Sequence, residues 1–149
     1  MIEKSLYENY EIHFDEEITP GSDDYLFVFN ENRELFMDDA KNLPSSLDDF
    51  DVNFCFYIGD YKGKRSFVAN VETAESFYPL FEIYEFNHDL YQIAAKAVLV
   101  NDWYISHRFC GRCGTQTQVD EKDMMLKCPS CGQVHYPRIA PAIIVAIRN

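Results

Sequence analysis

The chain has 149 residues, 47% of them hydrophobic, with 10 Tyr and 12 Phe. That is enough apolar material for one compact domain plus a small appendage, and it excludes a disordered chain. Six Gly and six Pro exclude collagen-like or low-complexity behaviour, and no apolar run approaches the roughly 18 residues of a membrane span. The formal net charge is -12, split unevenly: residues 1–109 hold 22 acids against 8 bases, and residues 110–149 hold 3 against 5. The first part would repel a phosphate backbone, which argues against non-specific nucleic-acid binding there and reads as a solvated acidic surface. The opening Met1–Tyr10 carries Glu3, Lys4 and Glu8 and lacks the apolar centre of a signal peptide. A cytoplasmic protein with no membrane partner is therefore expected.

Leu6–Phe14 mostly alternates apolar and polar residues, the period of a half-buried strand. Thr19–Asp24 is a turn cluster. Tyr25–Phe29 reads as a buried strand, followed by a short strand at Glu34–Met37. Asp38–Asp51 is the most loop-like stretch, with one helical turn expected near Ser46, where the hydroxyl could cap it. Val52–Val71 is a hairpin whose two aromatic and β-branched runs flank Asp60–Lys64, with Gly63 available for positive φ. Phe77–Tyr84 is mixed, and Pro79 argues for a strand start or a sheet edge. From Asp89 to about His107 the period becomes that of a helix. Leu90, Ile93, Ala94, Ala97, Asn101 and Tyr104 form one face, with Val98 and Ile105 beside it. Asn87 or Asp89 is the expected N-cap, and His107 and Arg108 are placed in the last turn, where positive charge suits the helix dipole.

Five cysteines are present: Cys55, Cys110, Cys113, Cys128 and Cys131. Cys55 sits in an apolar run and matches no nucleophile signature, so it reads as a structural strand residue. The other four form two C-x-x-C-G pairs separated by 14 residues, one short of the about 15–20 usual for a four-cysteine site. Two residues between thiolates let one tight turn aim both sulfurs at a single ion, and the following Gly permits the positive-φ turn that brings backbone N–H groups toward sulfur. Thr115–Lys127 has the length of a β-hairpin with its turn at Val119–Asp123 and a return strand starting at Met124. Disulfides do not suit a cytosolic chain, and a thioredoxin-like redox pair needs no second C-x-x-C. The reading is a zinc ribbon with Cys110, Cys113, Cys128 and Cys131 as ligands. A closed shell of four thiolates leaves no open position, so this zinc is structural and supplies folding energy to a segment with little core. His135 is then a strand-surface histidine and not a ligand.

The segment after the ribbon contains Ala142–Ile147, six apolar residues without alternation, which suits a strand buried on both faces. It either joins the N-terminal sheet or belongs to a sheet whose remainder is not among these residues; the second is the expectation. The block "SHRFCGRCG…KCPSCGQVHYPRIAPAIIVAIRN", preceded by "LYQIAAKAVLVNDWYISH", closely resembles the NADH pyrophosphatases of the Nudix hydrolase superfamily. The four cysteines, the Y-P-R-I-A-P junction and the strand that follows all fit in order over residues 89–149.

The resemblance implies an α+β fold: a β-rich, degenerate Nudix-like domain over residues 1–88, a linking helix over 89–109, the ribbon over 110–136, and the first strand of a Nudix domain over 137–149. Residues 1–88 match only in general character. The implied activity is hydrolysis of NADH or NAD+ to nicotinamide mononucleotide and AMP, and some family members remove NAD caps from RNA. Family catalysis uses a Nudix box, G-x5-E-x7-R-E-x-x-E-E-x-G, whose glutamates hold Mg2+ or Mn2+ at the diphosphate. No glycine of this chain has that run downstream, so no catalytic residue is assigned and the chain is expected to be inactive alone, as a non-catalytic N-terminal portion. Family precedent also implies a homodimer and two substrate-binding positions. Tyr136 matches a tyrosine that reaches the dinucleotide, the plainer reading being a packed aromatic. Asp123 falls where a glutamate can do so, the plainer reading being a turn carboxylate. The competing function is a free-standing zinc-ribbon module for protein or nucleic acid, with footing in Arg112, Lys122, Lys127 and Arg138.

Overall fold

A computed structural model describes residues 8–12, 19–72, 76–120 and 122–138. The strand expected at Ala142–Ile147 lies outside the described residues, as do Leu6, Tyr7, His13 and Phe14 of the strand expected at Leu6–Phe14; of its described residues only Tyr10–Glu11 is strand.

Six strands form one mixed sheet: β1 (Tyr10–Glu11), β2 (Tyr25–Phe29), β3 (Glu34–Phe36), β4 (Val52–Tyr61), β5 (Lys64–Val71) and β6 (Phe77–Pro79), in the order β1-β4-β5-β2-β3-β6. The predicted hairpin is the β4–β5 pair, and its turn is tighter than expected. Only Lys62 and Gly63 lie between the strands, with φ of 51° and 74°, the two left-handed residues of a type I′ turn. The parallel pairing of β2 with β5, Tyr25 opposite Ser66 through Phe29 opposite Asn70, joins the hairpin to the rest of the sheet. Both strands are central, and both are buried along most of their length, which accounts for their unbroken apolar runs.

The period of two sorts the side chains cleanly. Phe27, Phe29, Phe54, Phe56, Ile58 and Val68 point to one face, against a helix; Val28, Ala69 and Val71 point to the other. The helical face is built by α1 (Leu80–Phe86) and α2 (His88–Ser106). α2 starts where Asn87 accepts a hydrogen bond from the Leu90 N–H at 2.9 Å, and it buries the predicted stripe of Leu90, Ile93, Ala94, Ala97, Asn101 and Tyr104, together with Val100 and Trp103. It ends at Ser106, so the last turn carries no basic residue. His107 is the C-cap: its N–H reaches the Trp103 and Tyr104 carbonyls, and its ring Nδ1 lies 2.8 Å from the Trp103 carbonyl. The second sheet face is covered by the loop 38–51 through Leu47 and Phe50. Ser46 there bonds the Asp48 N–H at 3.0 Å, and a turn from Leu47 to Phe50 replaces the expected helical turn. Cys55 is half-buried on this face.

α1 is absent from the sequence reading. Pro79 ends the edge strand β6 and then serves as the N-cap of α1; a ring that cannot donate to the ladder is tolerated at both places. Asn101, on the buried stripe, closes an amide chain through the core. Asn53 donates to Asn70 at 2.7 Å, Asn70 to Asn101 at 2.7 Å, and Asn101 to the Asn30 carbonyl at 3.3 Å. Asn70 and Asn101 are fully buried, and the chain satisfies amides that would otherwise cost their desolvation.

Candidate metal centre

Three residues separate the end of α2 from Cys110, and the cysteine module is tied to it at once. Thr117 donates its N–H to the Arg108 carbonyl and its hydroxyl to the His107 carbonyl, at 2.9 and 2.8 Å. Arg108 pairs with Glu31, between β2 and β3. Three short strands follow, β7 (Gln118–Asp120), β8 (Met125–Lys127) and β9 (Val134–His135), in one antiparallel sheet. Met124, expected to start the return strand, is in the turn with a φ of 45°.

The two C-x-x-C-G segments are near copies of each other. In the first, Cys110 N–H bonds the Thr115 carbonyl and Gly114 N–H bonds the Cys110 carbonyl, both at 2.8 Å. In the second, Cys128 N–H bonds the Gln133 carbonyl at 2.8 Å and Gly132 N–H bonds the Cys128 carbonyl at 3.0 Å. Gly114 and Gly132 have φ of 77° and 74°, conformations that admit glycine at little cost. Backbone N–H groups point at sulfur as the spacing predicts: Arg112 N–H at 3.4 Å from Cys110, and Cys131 N–H at 3.5 Å from Cys128.

The knuckles face each other. Cys110 and Cys131 sulfurs are 3.6 Å apart, Cys113 and Cys128 sulfurs 3.4 Å, and all four lie within 4.8 Å of one another. Four thiolates at about 2.3 Å from a tetrahedral zinc would stand about 3.8 Å apart, so the donor set fits a structural zinc in both element type and size. No other residue joins the cluster: among the described residues it is Cys110, Cys113, Cys128 and Cys131. His135 is on β9, half-buried, with its ring 5.4 Å from that of His107; burial, His107 and Arg138 hold it below the usual imidazole value.

The sulfurs differ in acidity. The Thr115 hydroxyl, 3.4 Å away, and the Thr115 N–H lead in bringing Cys113 down to about 6. The Arg112 and Cys113 N–H groups lower Cys110. For Cys131 the Gln133 N–H favours the thiolate, but burial and the sulfurs of Cys110, Cys128 and Cys113 outweigh it and push the thiol up to about 11. Crowded sulfurs compete for protons, and a divalent cation at their centre removes that competition. Thr115 escaped the sequence reading, although its place two residues after the second cysteine of a knuckle was a usable signal.

The ribbon is not a detached appendage. Leu126 of β8 is fully buried in the same continuous cluster as Phe54, Trp103 and Tyr104, with Val119 and Met124 packed against it. Asp123 and Tyr136 lie at the end of the small sheet away from the knuckles: Asp123 in the β7–β8 turn, Tyr136 directly after β9, where the register continues opposite Met125. Both are exposed, Tyr136 by 52%. No described helix is long and apolar enough to cross a membrane.

Residues 105–136 match the family described as NADH pyrophosphatase zinc ribbon domain. An NAD-capped RNA hydrolase NudC of Haemophilus influenzae is 33% identical over 134 residues, 89% of this chain and 47% of that protein. Its counterpart in Klebsiella pneumoniae is 26% identical over 125 residues, 83% of this chain and 49% of its own length. In Chromobacterium violaceum the similarity rises to 49% identity over 58 residues, 39% of the chain and 22% of the relative. The chain spans about half the length of the curated relatives that match most of it. Along most of its length this chain is thus similar to NAD-capped RNA hydrolases, and residues 105–136 match the NADH pyrophosphatase zinc ribbon domain.

Proposed function

We propose that these residues are the non-catalytic portion of an NAD(H) diphosphatase that hydrolyses NADH or NAD+ to nicotinamide mononucleotide and AMP, with NAD-capped RNA as a further substrate. The observation that carries this is the matched ribbon at residues 105–136, with its four sulfurs drawn to one point. In this reading Cys110, Cys113, Cys128 and Cys131 hold a structural zinc. Tyr136 and Asp123, at the free end of the ribbon sheet, face the dinucleotide, and the working unit is a cytoplasmic homodimer. The division into 1–88, 89–109, 110–136 and 137–149 belongs to the same proposal. Mg2+ or Mn2+ would neutralise charge at the diphosphate on a Nudix box, and these 149 residues contain no such box.

The test is an assay of purified residues 1–149 with NADH and Mn2+. No turnover is expected; turnover comparable to an intact Nudix enzyme would overturn the reading. The rival, a free-standing ribbon that binds protein or nucleic acid, is disfavoured by the relatives, and its nucleic-acid form also by the acidic residues 1–109. A Nudix box in the reading frame after codon 149 would exclude it.

A further inference from the structure

A concavity lies on the sheet domain, remote in sequence from the ribbon. It is a cleft of about 430 Å3 between the start of β2 (Asp24, Tyr25), the loop 41–45, the β4–β5 turn (Lys62, Lys64) and the first turn of α2 (Asn87, Asp89, Leu90). Its charge is out of keeping with its surroundings. Residues 1–109 carry only 8 basic side chains, and three of them, Lys41, Lys62 and Lys64, line this one cleft.

The two carboxylates in the lining are already engaged. Asp24 accepts from Arg65 Nε at 3.0 Å, from Arg65 Nη2 at 2.6 Å, and from the Gly21 N–H at 2.6 Å. Asp89 pairs with Lys62. Lys41 and Lys64 have no carboxylate partner among the described residues; their ammonium groups lie over the rings of Tyr78 and Tyr25, at 3.2 and 4.5 Å from the centroids. An aromatic face holds a cation without neutralising it, so both charges remain available to an anion. The α2 N-terminus adds to this. Asn87 caps the Leu90 N–H, while the first-turn amides of His88 and Asp89 have no intrahelical acceptor.

We propose that this cleft binds a small phosphorylated ligand, with its phosphate between Lys41 and Lys64 and against the first turn of α2. The proposal is independent of the ribbon and of the diphosphatase reading, and stands or falls without them. The volume admits either inorganic phosphate or the phosphate of a mononucleotide, and the test separates the two.

The experiment is a titration of the 149-residue chain followed by backbone amide NMR, with inorganic phosphate, AMP and adenosine as separate probes. Saturable shifts of the Asn42, Lys62–Lys64, His88 and Asp89 amides are expected with phosphate and with AMP, and none with adenosine. Stronger binding of AMP than of phosphate identifies a nucleotide; equal binding identifies phosphate alone. Both lysines are exposed, so Lys41→Ala and Lys64→Ala should leave the spectrum dispersed while each weakens binding about fivefold, as expected for a charge-assisted contact in partly screened surroundings. Lys41→Arg and Lys64→Arg should retain binding, and Lys122→Ala on the ribbon should have no effect. Absence of saturable shifts, equal shifts with adenosine, or binding unchanged in the Lys41→Ala/Lys64→Ala double variant would overturn the proposal.

Discussion

At the centre of the six-stranded sheet lie Phe27, Phe29, Phe54, Phe56 and Phe67, all fully buried, whereas the ribbon contributes Leu126 as its one fully buried aliphatic side chain among the described residues. The sheet domain can order itself by removing aromatic surface from water. The ribbon has three strands of two or three residues each, too short to hold together by pairing alone, and must be closed by its four sulfurs. The contrast teaches that one chain can place a unit gathered around four sulfurs directly on one held by apolar packing. The seam between them is Leu126 in the core cluster that also holds Trp103 and Tyr104 of α2, the Thr117 bonds to the carbonyls that follow that helix, and Arg108 with Glu31.

The largest expected effect breaks the comparison from the ribbon side. Chelation, or Cys128→Ser, should unfold residues 110–136 and leave the sheet domain folded, because structural zinc supplies the folding energy of such units. Amide NMR should show ribbon signals collapsing while those of β4 and β5 persist; cooperative loss of both would show that the sheet also depends on the metal. Acid should act in the same direction. Cys131 keeps its proton up to about 11, so zinc binding at neutral pH releases it, and zinc retention must weaken as pH falls. Competition with a chromogenic chelator across pH measures this, and affinity independent of pH would contradict it.

From the sheet side, Phe56→Ala removes a ring packed against Phe54 and Trp103 and should cost about 3–5 kcal/mol by cavity formation. Denaturant unfolding should register that loss with zinc content unchanged. Asn101→Ala breaks the amide chain and strands the Asn70 donor, an expected cost of about 1–3 kcal/mol. A near-neutral result would mean that Asn70 finds another acceptor. The smallest effect sharpens the seam. Glu31 is half exposed, so Arg108→Ala should cost less than about 1 kcal/mol of global stability, and a larger loss would identify the pair as the main tether of the ribbon.

Much of this was legible in the linear chain where a single local rule dominated. The helix stripe of α2 has a 3.6-residue period and its Asn87 cap a short-range bond. The β4–β5 hairpin has a turn glycine, and the knuckles have a fixed C-x-x-C-G spacing; each depends on neighbours within a few residues. α1 was not legible because Leu80–Phe86 is one short, aromatic-rich turn pair whose apolar residues suit strand and helix alike. α2 ends at Ser106, short of the last turn expected to hold His107 and Arg108, because His107 caps through its backbone rather than continuing the helix.

The amino-acid sequence by itself determined the two C-x-x-C-G pairs that form the candidate metal centre, the acidic and basic division of the chain, and the presence of a β-rich unit followed by a helix and a cysteine module. These follow from residue type and spacing. Only the tertiary structure decided that β2 runs parallel to β5 and that Asn53, Asn70, Asn101 and Asn30 form one chain of amides. It also decided that Leu126 belongs to the core of the larger domain, and that Lys41 and Lys64 line one cleft. Each of those joins residues far apart in sequence, and such contacts are selected by the packing of whole elements, which no local pattern encodes.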